Sequence, residues 1–152
     1  MRKAQQVRIQ GFIRYQLVDL KTGRVKTSKW HKNAVTADGF QNYIVGTIGA
    51  IAASKQISYL QVATQTTAPS SSQTSASGEF EARKTTSNSF ITNGTLQMTA
   101  SFNTNEATQS TLGGVALYNT SSGGVAAAVG TFATTNKTTD QVFNVTYQWR
   151  FS

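Results

Sequence analysis

Nine residues near the end of the chain, Phe143 to Phe151, alternate without a break. Phe143, Val145, Tyr147, Trp149 and Phe151 take the odd positions, and Asn144, Thr146, Gln148 and Arg150 the even ones. Successive side chains of an extended strand point to opposite faces, so the pattern specifies a half-buried strand and is incompatible with an amphipathic helix. Val7, Ile9, Gly11, Ile13, Tyr15 and Leu17 repeat it against Arg8, Gln10, Phe12, Arg14 and Gln16. From Thr95 to Phe102 it returns, with Leu96, Met98, Ala100 and Phe102 on one face. Ile57–Ala63 is apolar on both faces and should lie centrally. Further strands are expected near Glu79–Lys84, over Thr111–Tyr118, where Gly113-Gly114 marks a bulge or a close backbone approach, and over Val125–Ala133. Turn signals separate them at Gly23, Asn93-Gly94, Asn119–Gly124 and Thr134–Asp140. Val25 to about Trp30 is a less apolar return strand, expected at an edge that Lys26 and Lys29 protect from aggregation. Many short strands with turns at regular spacing predict a mainly β fold, an antiparallel β-sandwich or jelly-roll-like barrel.

One stretch departs from period two. Thr36 or Asp38 can cap a helix N-terminus, and Phe40, Tyr43, Ile44, Thr47 and Ile48 follow at helical spacing. Gly46 and Gly49 weaken the helix and let another backbone come close. The expectation is one short helix, about residues 38–53, plugging a single domain of residues 1–152. Residues 64–78 are almost wholly Thr, Ser, Gln, Ala and Gly around Pro69, the only proline. Such a segment buries too little apolar surface to offset its ordering entropy. It is expected to be a surface loop, mobile in a monomer and ordered against a neighbour.

The net charge of +8 is unevenly placed. Residues 1–32 hold nine basic residues and one acid, Asp19, whereas the other 120 hold five of each. The excess therefore sits on a basic N-terminal arm and hairpin, residues 1–32. Arg2, Lys3, Arg8, Arg14, Lys21, Arg24, Lys26 and Lys29 are its candidate docking residues, for an acidic protein surface or for nucleic acid. Met1-Arg2-Lys3 leads into alternation and not into an apolar run, which argues against a signal peptide. No apolar run approaches the ~20 residues of a membrane span, so no membrane partner is expected.

Catalytic chemistry is hard to assemble from this composition. There is no cysteine, and His31, the single histidine, lies between Trp30 and Lys32 with no orienting carboxylate in sequence. Glu79 and Glu81 would share a strand face, but Arg83 follows at the same period and predicts an ion-paired surface ladder. The glycine pairs open no helix with a lysine at phosphate-loop spacing. No catalytic, metal or cofactor residues are assigned, and the chain is not expected to be an enzyme. Phe12 shares a face with Arg8 and Arg14, as in single-strand binding surfaces, whereas Tyr15 falls in the apolar register. Trp30 is the one candidate stacking platform for a carbohydrate.

The order of features resembles a widespread group of small tailed-bacteriophage structural proteins, described as virion, tail or tail-fibre-associated components. A basic strand ending Asp19-Leu-Lys-Thr-Gly-Arg-Val25 precedes Lys32-Asn-Ala-Val-Thr-Ala-Asp-Gly39 and a short helix. Ile57-Ser-Tyr-Leu-Gln-Val-Ala63, a Ser/Thr loop, Glu79–Arg83, Ile91-Thr-Asn-Gly-Thr-Leu96 and Gly114-Val-Ala-Leu-Tyr-Asn119 follow, before a final aromatic strand. The chain departs from the group at Ala63-Thr-Gln-Thr-Thr67, where a glycine-rich turn is usual. The resemblance implies a non-enzymatic assembly role in a virion and leaves open tail, baseplate, neck or head; within that reading a symmetric oligomer, assembled in the host cytoplasm and tail- or fibre-associated, is the favoured expectation. Its partners would be copies of itself and virion proteins with an acidic surface. Capsid decoration (cement) and nucleic-acid binding through the N-terminal segment are the alternatives.

Overall fold

The structure, a computed structural model, describes residues 8–91 and 94–152. Val7 and Asn93 of the predicted strand and turn lie outside it. Ten strands follow in order: β1 (Ile9–Asp19), β2 (Val25–Thr27), β3 (His31–Val35), β4 (Tyr59–Ala63), β5 (Glu79–Thr85), β6 (Ser87–Ile91), β7 (Thr95–Phe102), β8 (Gln109–Tyr118), β9 (Ala128–Lys137) and β10 (Gln141–Phe151). They form a mainly antiparallel, nearly closed barrel with one short helical segment, the class that the alternation predicts. The hydrogen-bonded order is β5-β4-β8-β9-β3-β1-β10-β7-β6, with β2 flanking β1.

The first and last strands pair over their full length, Ile9 opposite Phe151 and Asp19 opposite Gln141. Their shared period puts Ile13, Tyr15, Leu17, Phe143, Val145, Tyr147 and Trp149 into one core. Aromatic rings there meet at a tilt, Tyr15 with Phe132 at 4.9 Å and with Phe143 at 5.4 Å between centroids, a geometry that ring quadrupoles favour over a flat sandwich.

Two corners turn the sheet into a barrel. β3 pairs with β1 through His31–Asn33 and with β9 through Ala34–Val35, so five residues step from one half to the other. The predicted edge strand shrinks accordingly to β2, three exposed residues paired with β1 alone. At the corner Asn33 is buried against Gly130, where a Cβ would lie 2.7 Å from the Asn33 side chain; only glycine leaves room. On the opposite side Thr86 alone separates β5, which pairs with β4, from β6, which pairs with β7. The two ends of the strand order are thus one continuous segment of chain.

The helical segment is shorter and of another kind than predicted. A π-helical stretch, Gly39–Val45, runs into one α-turn, Gly46–Ile48. Thr36 caps it: its Oγ1 accepts the Gly39 N–H at 3.0 Å. Bonds from i to i+5 widen each turn, so an apolar stripe spaced for 3.6 residues per turn splits. Tyr43 and Ile44 enter the core, while Phe40 and Ile48 face solvent. The N-terminal end lies against the residue that leads into β9, where a Cβ on Gly39 would come within 1.8 Å of the Ala127 carbonyl oxygen. Beyond Ile48 the backbone reverses, with Ala50 and Ala53 at φ +48° and +68°.

The loop between β4 and β5 lies at the surface, as expected, and is bonded within its own chain. The Gln65 and Gln73 side-chain amides bond each other in both directions, at 2.9 and 3.3 Å. Gln65 also accepts from the Ser77 N–H at 2.8 Å. The loop lies over the outer face of β8, where Ala63, Ala76, Ala116, Tyr118, Ala126 and Val129 form a second small core. Polar residues order here because their amides satisfy one another and the backbone, which lowers the desolvation cost of burial.

Candidate functional site

The outer face of β1 and β10 carries the strongest local chemistry. Phe12 of β1 stands opposite Gln148 of β10 and Lys32 of β3, and Arg14 stands opposite Thr146. Trp30, just before β3, closes over them. The Arg150 guanidinium lies 4.1 Å from the Phe12 ring centroid and 5.0 Å from that of Trp30, and the Arg14 guanidinium lies 4.7 Å from Trp30. Phe12, Arg150, Trp30 and Arg14 form a half-exposed cation–π cluster. Exposed Arg8 and Lys32 extend its positive charge.

The donors here are largely unspent. A guanidinium has five N–H donors. Among the described residues, Arg150 donates only Nε, to Gln148 Oε1 at 3.0 Å, and Arg14 donates to none. Every side-chain carboxylate is engaged elsewhere. Asp38 pairs with Lys55 and Asp140 with Lys21, both at 3.0 Å. Glu106 pairs with Lys84, whose ammonium, with the Asn103 N–H, holds its carboxyl below the usual range. Asp19 accepts the Lys21 and Thr22 N–H groups at 2.9 Å, and hydrogen bonding led by Thr22 lowers its pKa. Glu79 accepts the Tyr118 hydroxyl, and Glu81 the Ala107 N–H at 3.0 Å. The face is therefore positive and uncompensated.

The eight candidate docking residues do not act as one set. Arg2 and Lys3 lie outside the described residues. Arg8 and Arg14 belong to this face. Lys21 and Arg24 lie in the turn at the far end of β1, Lys21 bound to Asp140 and Arg24 exposed. Lys26 donates to Thr135 Oγ1 at 3.2 Å, and Lys29 is exposed in the link to β3. Arg150, Lys32 and Trp30 complete the cluster and were not among the eight. The alternation of the last strand places Arg150 outward; what the sequence lacks is the pairing of β10 with β1.

Glu79, Glu81 and Arg83 do not form the predicted ladder. A bulge sets three residues of β5, Glu81 to Arg83, against Gln61, and Glu81 takes φ +66°. Glu79 and Arg83 instead clamp buried Tyr118: Glu79 takes its hydroxyl, and the Arg83 guanidinium lies 3.3 Å from its ring centroid. Burial, with Glu79 beside it, raises the Tyr118 pKa. His31 is half-buried in β3, in register with Ile13. Among the described residues no group of three or more His, Asp or Glu could hold a metal ion, and no helix is long and apolar enough to cross a membrane.

Comparison with family models, with curated proteins and with solved structures found no match.

Proposed function

We propose that the protein is a non-enzymatic structural component of a tailed-bacteriophage virion, tail- or fibre-associated. It assembles as a symmetric oligomer and docks through the Phe12–Arg150–Trp30–Arg14 face onto an acidic protein surface. The observation that carries the docking role is the pair of ring-held guanidiniums with unspent donors on a face free of side-chain carboxylates. A guanidinium held by aromatic rings presents its fork already oriented, so a bidentate carboxylate costs it little further ordering. The order of sequence features supports the virion setting, with capsid decoration as the next place.

Phosphates would meet the same guanidiniums, and the interleaved aromatics favour nucleic acid as the second reading. Protein is preferred because the chain's own guanidiniums lie over Phe12 and Trp30, which limits the ring surface open to bases. Arg14→Glu with Arg150→Glu tests this. The folded double variant should fail to enter phage particles that take up the wild type, and the wild type should bind single- and double-stranded DNA and RNA weakly at near-physiological salt. Sub-micromolar nucleic-acid binding, with normal incorporation of the variant, would overturn the reading.

A further inference from the structure

The barrel has an open mouth between the helical segment and β6. It holds a cavity of about 310 Å³, with Tyr43, Ile57, Leu96 and Trp149 among its walls and Phe90 at its edge. Phe90 stands opposite Leu96 of β7, whose neighbours at period two, Met98 and Ala100, point into the core. It is therefore on the inward side of β6, yet 90% exposed. An inward-directed aromatic that reaches no core marks a place where the core is unfinished.

The surroundings point the same way. Among the described residues, the exposed large apolar side chains Phe40, Val45, Ile48 and Phe90 belong to the two elements flanking this mouth, and Ile51 follows in the turn beyond the helix. β6 ends the strand order, and its five exposed residues, Ser-Asn-Ser-Phe-Ile, include no charge and no proline. Exposed edges normally carry such protection, and β2 at the other side of the barrel carries Lys26.

We propose that a second copy of this chain covers the mouth, with Phe90 of each copy seated against the Tyr43, Leu96 and Trp149 walls of the other. Knob and hole lie side by side on one surface, the arrangement that a reciprocal contact between identical chains requires. Two molecules of net charge +8 repel, so a copy can be accepted only where no unpaired charge stands. The mouth meets that condition: among the described residues Lys55 is the charged side chain lining it, and Asp38 neutralises it at 3.0 Å. The size is of the right order: the exposed parts of these five side chains amount to roughly 500 Å², against the ~800 Å² that each partner contributes to a standard interface. The inference deepens the symmetric-oligomer part of the proposed function and is independent of the basic face.

Sedimentation equilibrium of the purified protein, from micromolar to a few hundred micromolar, is the test. The wild type should self-associate, and Phe90→Glu or Ile48→Lys should weaken association by roughly 30-fold or more while retaining the far-UV circular dichroism of the parent. A wild type that stays monomeric throughout, or self-association that both surface variants leave intact, would overturn the proposal. The Arg14→Glu, Arg150→Glu variant should associate as the wild type does, so a failed docking face and a failed copy contact give different results.

Discussion

Arginine lies over an aromatic ring on two sides of this barrel, and the two sites differ in what surrounds them. Arg83 sits 3.3 Å from the Tyr118 centroid and gives its N–H groups to Gln61 Oε1, Thr120 O and Gly123 O at 2.7–3.0 Å. Tyr118 itself has no exposed surface and is clamped from its hydroxyl end by Glu79. On the other side, Arg14 and Arg150 lie against Phe12 and Trp30 with most donors free. The same pairing of residue types is internal architecture where the chain folds its own loop over the sheet, and available surface where it does not. Burial and donor satisfaction separate an internal contact from an available one, not residue type.

The largest difference expected between the two sides is in stability. Tyr118→Ala empties a fully buried site between β8 and the covering loop and should cost about 3–5 kcal/mol. For a chain of this length that lowers the melting temperature by roughly 10 °C or more. Trp30→Ala, on the open side, should cost about 1 kcal/mol or less. Comparable losses from the two substitutions in urea unfolding would erase the distinction.

Next in size is the covering loop. Gln65→Ala removes the acceptor of the Ser77 N–H and both bonds to Gln73. Leaving such groups unpaired costs about 1–3 kcal/mol. The loss should appear locally first. A protease that accepts uncharged residues should cut within 64–78 in the variant well before the wild type, with Phe12, Trp30 and their arginines undisturbed. Equal cleavage of both would mean that the amide pair does not order the loop.

Alkaline pH should act on the covered side. Burial raises the pKa of Tyr118, and that of Tyr43 to about 12, from an ordinary 10.0. A folded pKa above the unfolded one means that the folded chain holds its proton longer. The stability linked to these groups is complete below pH 10 and is lost as pH climbs through the folded values. Tyr118→Phe should flatten that decline between pH 10 and 12 in denaturant melts, while Phe12→Leu should leave it unchanged.

How far the sequence anticipates this contrast depends on the range of the interactions. Period two in β1, β7 and β10 assigns inward and outward residues correctly, Tyr15 and Arg150 included, because strand geometry is local. The ion ladder fails at Glu81, where a bulge interrupts the period. The apolar stripe from Phe40 to Ile48 fails because bonding from i to i+5 changes how many residues make a turn. Arg14 could be read as outward from β1 alone. Its meeting with Trp30 and Arg150 depends on β1 pairing with β10, a contact between chain ends about 130 residues apart, which no local pattern encodes. For the loop 64–78, composition describes what its side chains offer to a core, not the reciprocal amide bonds that its turns make possible.

The smallest effect isolates the chemistry that both sides share. Double-mutant cycles can compare Arg83 with Tyr118 and Arg14 with Trp30, replacing each arginine by Met and each aromatic by Leu. A stacked cation is worth ~0.5–1 kcal/mol when exposed and ~2 kcal/mol or more when water is excluded. The covered pair should therefore show the larger coupling and little dependence on salt. The open pair should show the smaller one. Its guanidinium also feels the surrounding uncompensated charge of Arg8, Lys32 and Arg150, a repulsion that salt screens. Raising ionic strength should thus leave the coupling of the open pair unchanged or slightly stronger, whereas an ordinary surface ion pair weakens. An open-side coupling that fell with salt would mean that Arg14 has found a carboxylate, and the face would then lack the unspent positive charge on which its proposed docking role rests.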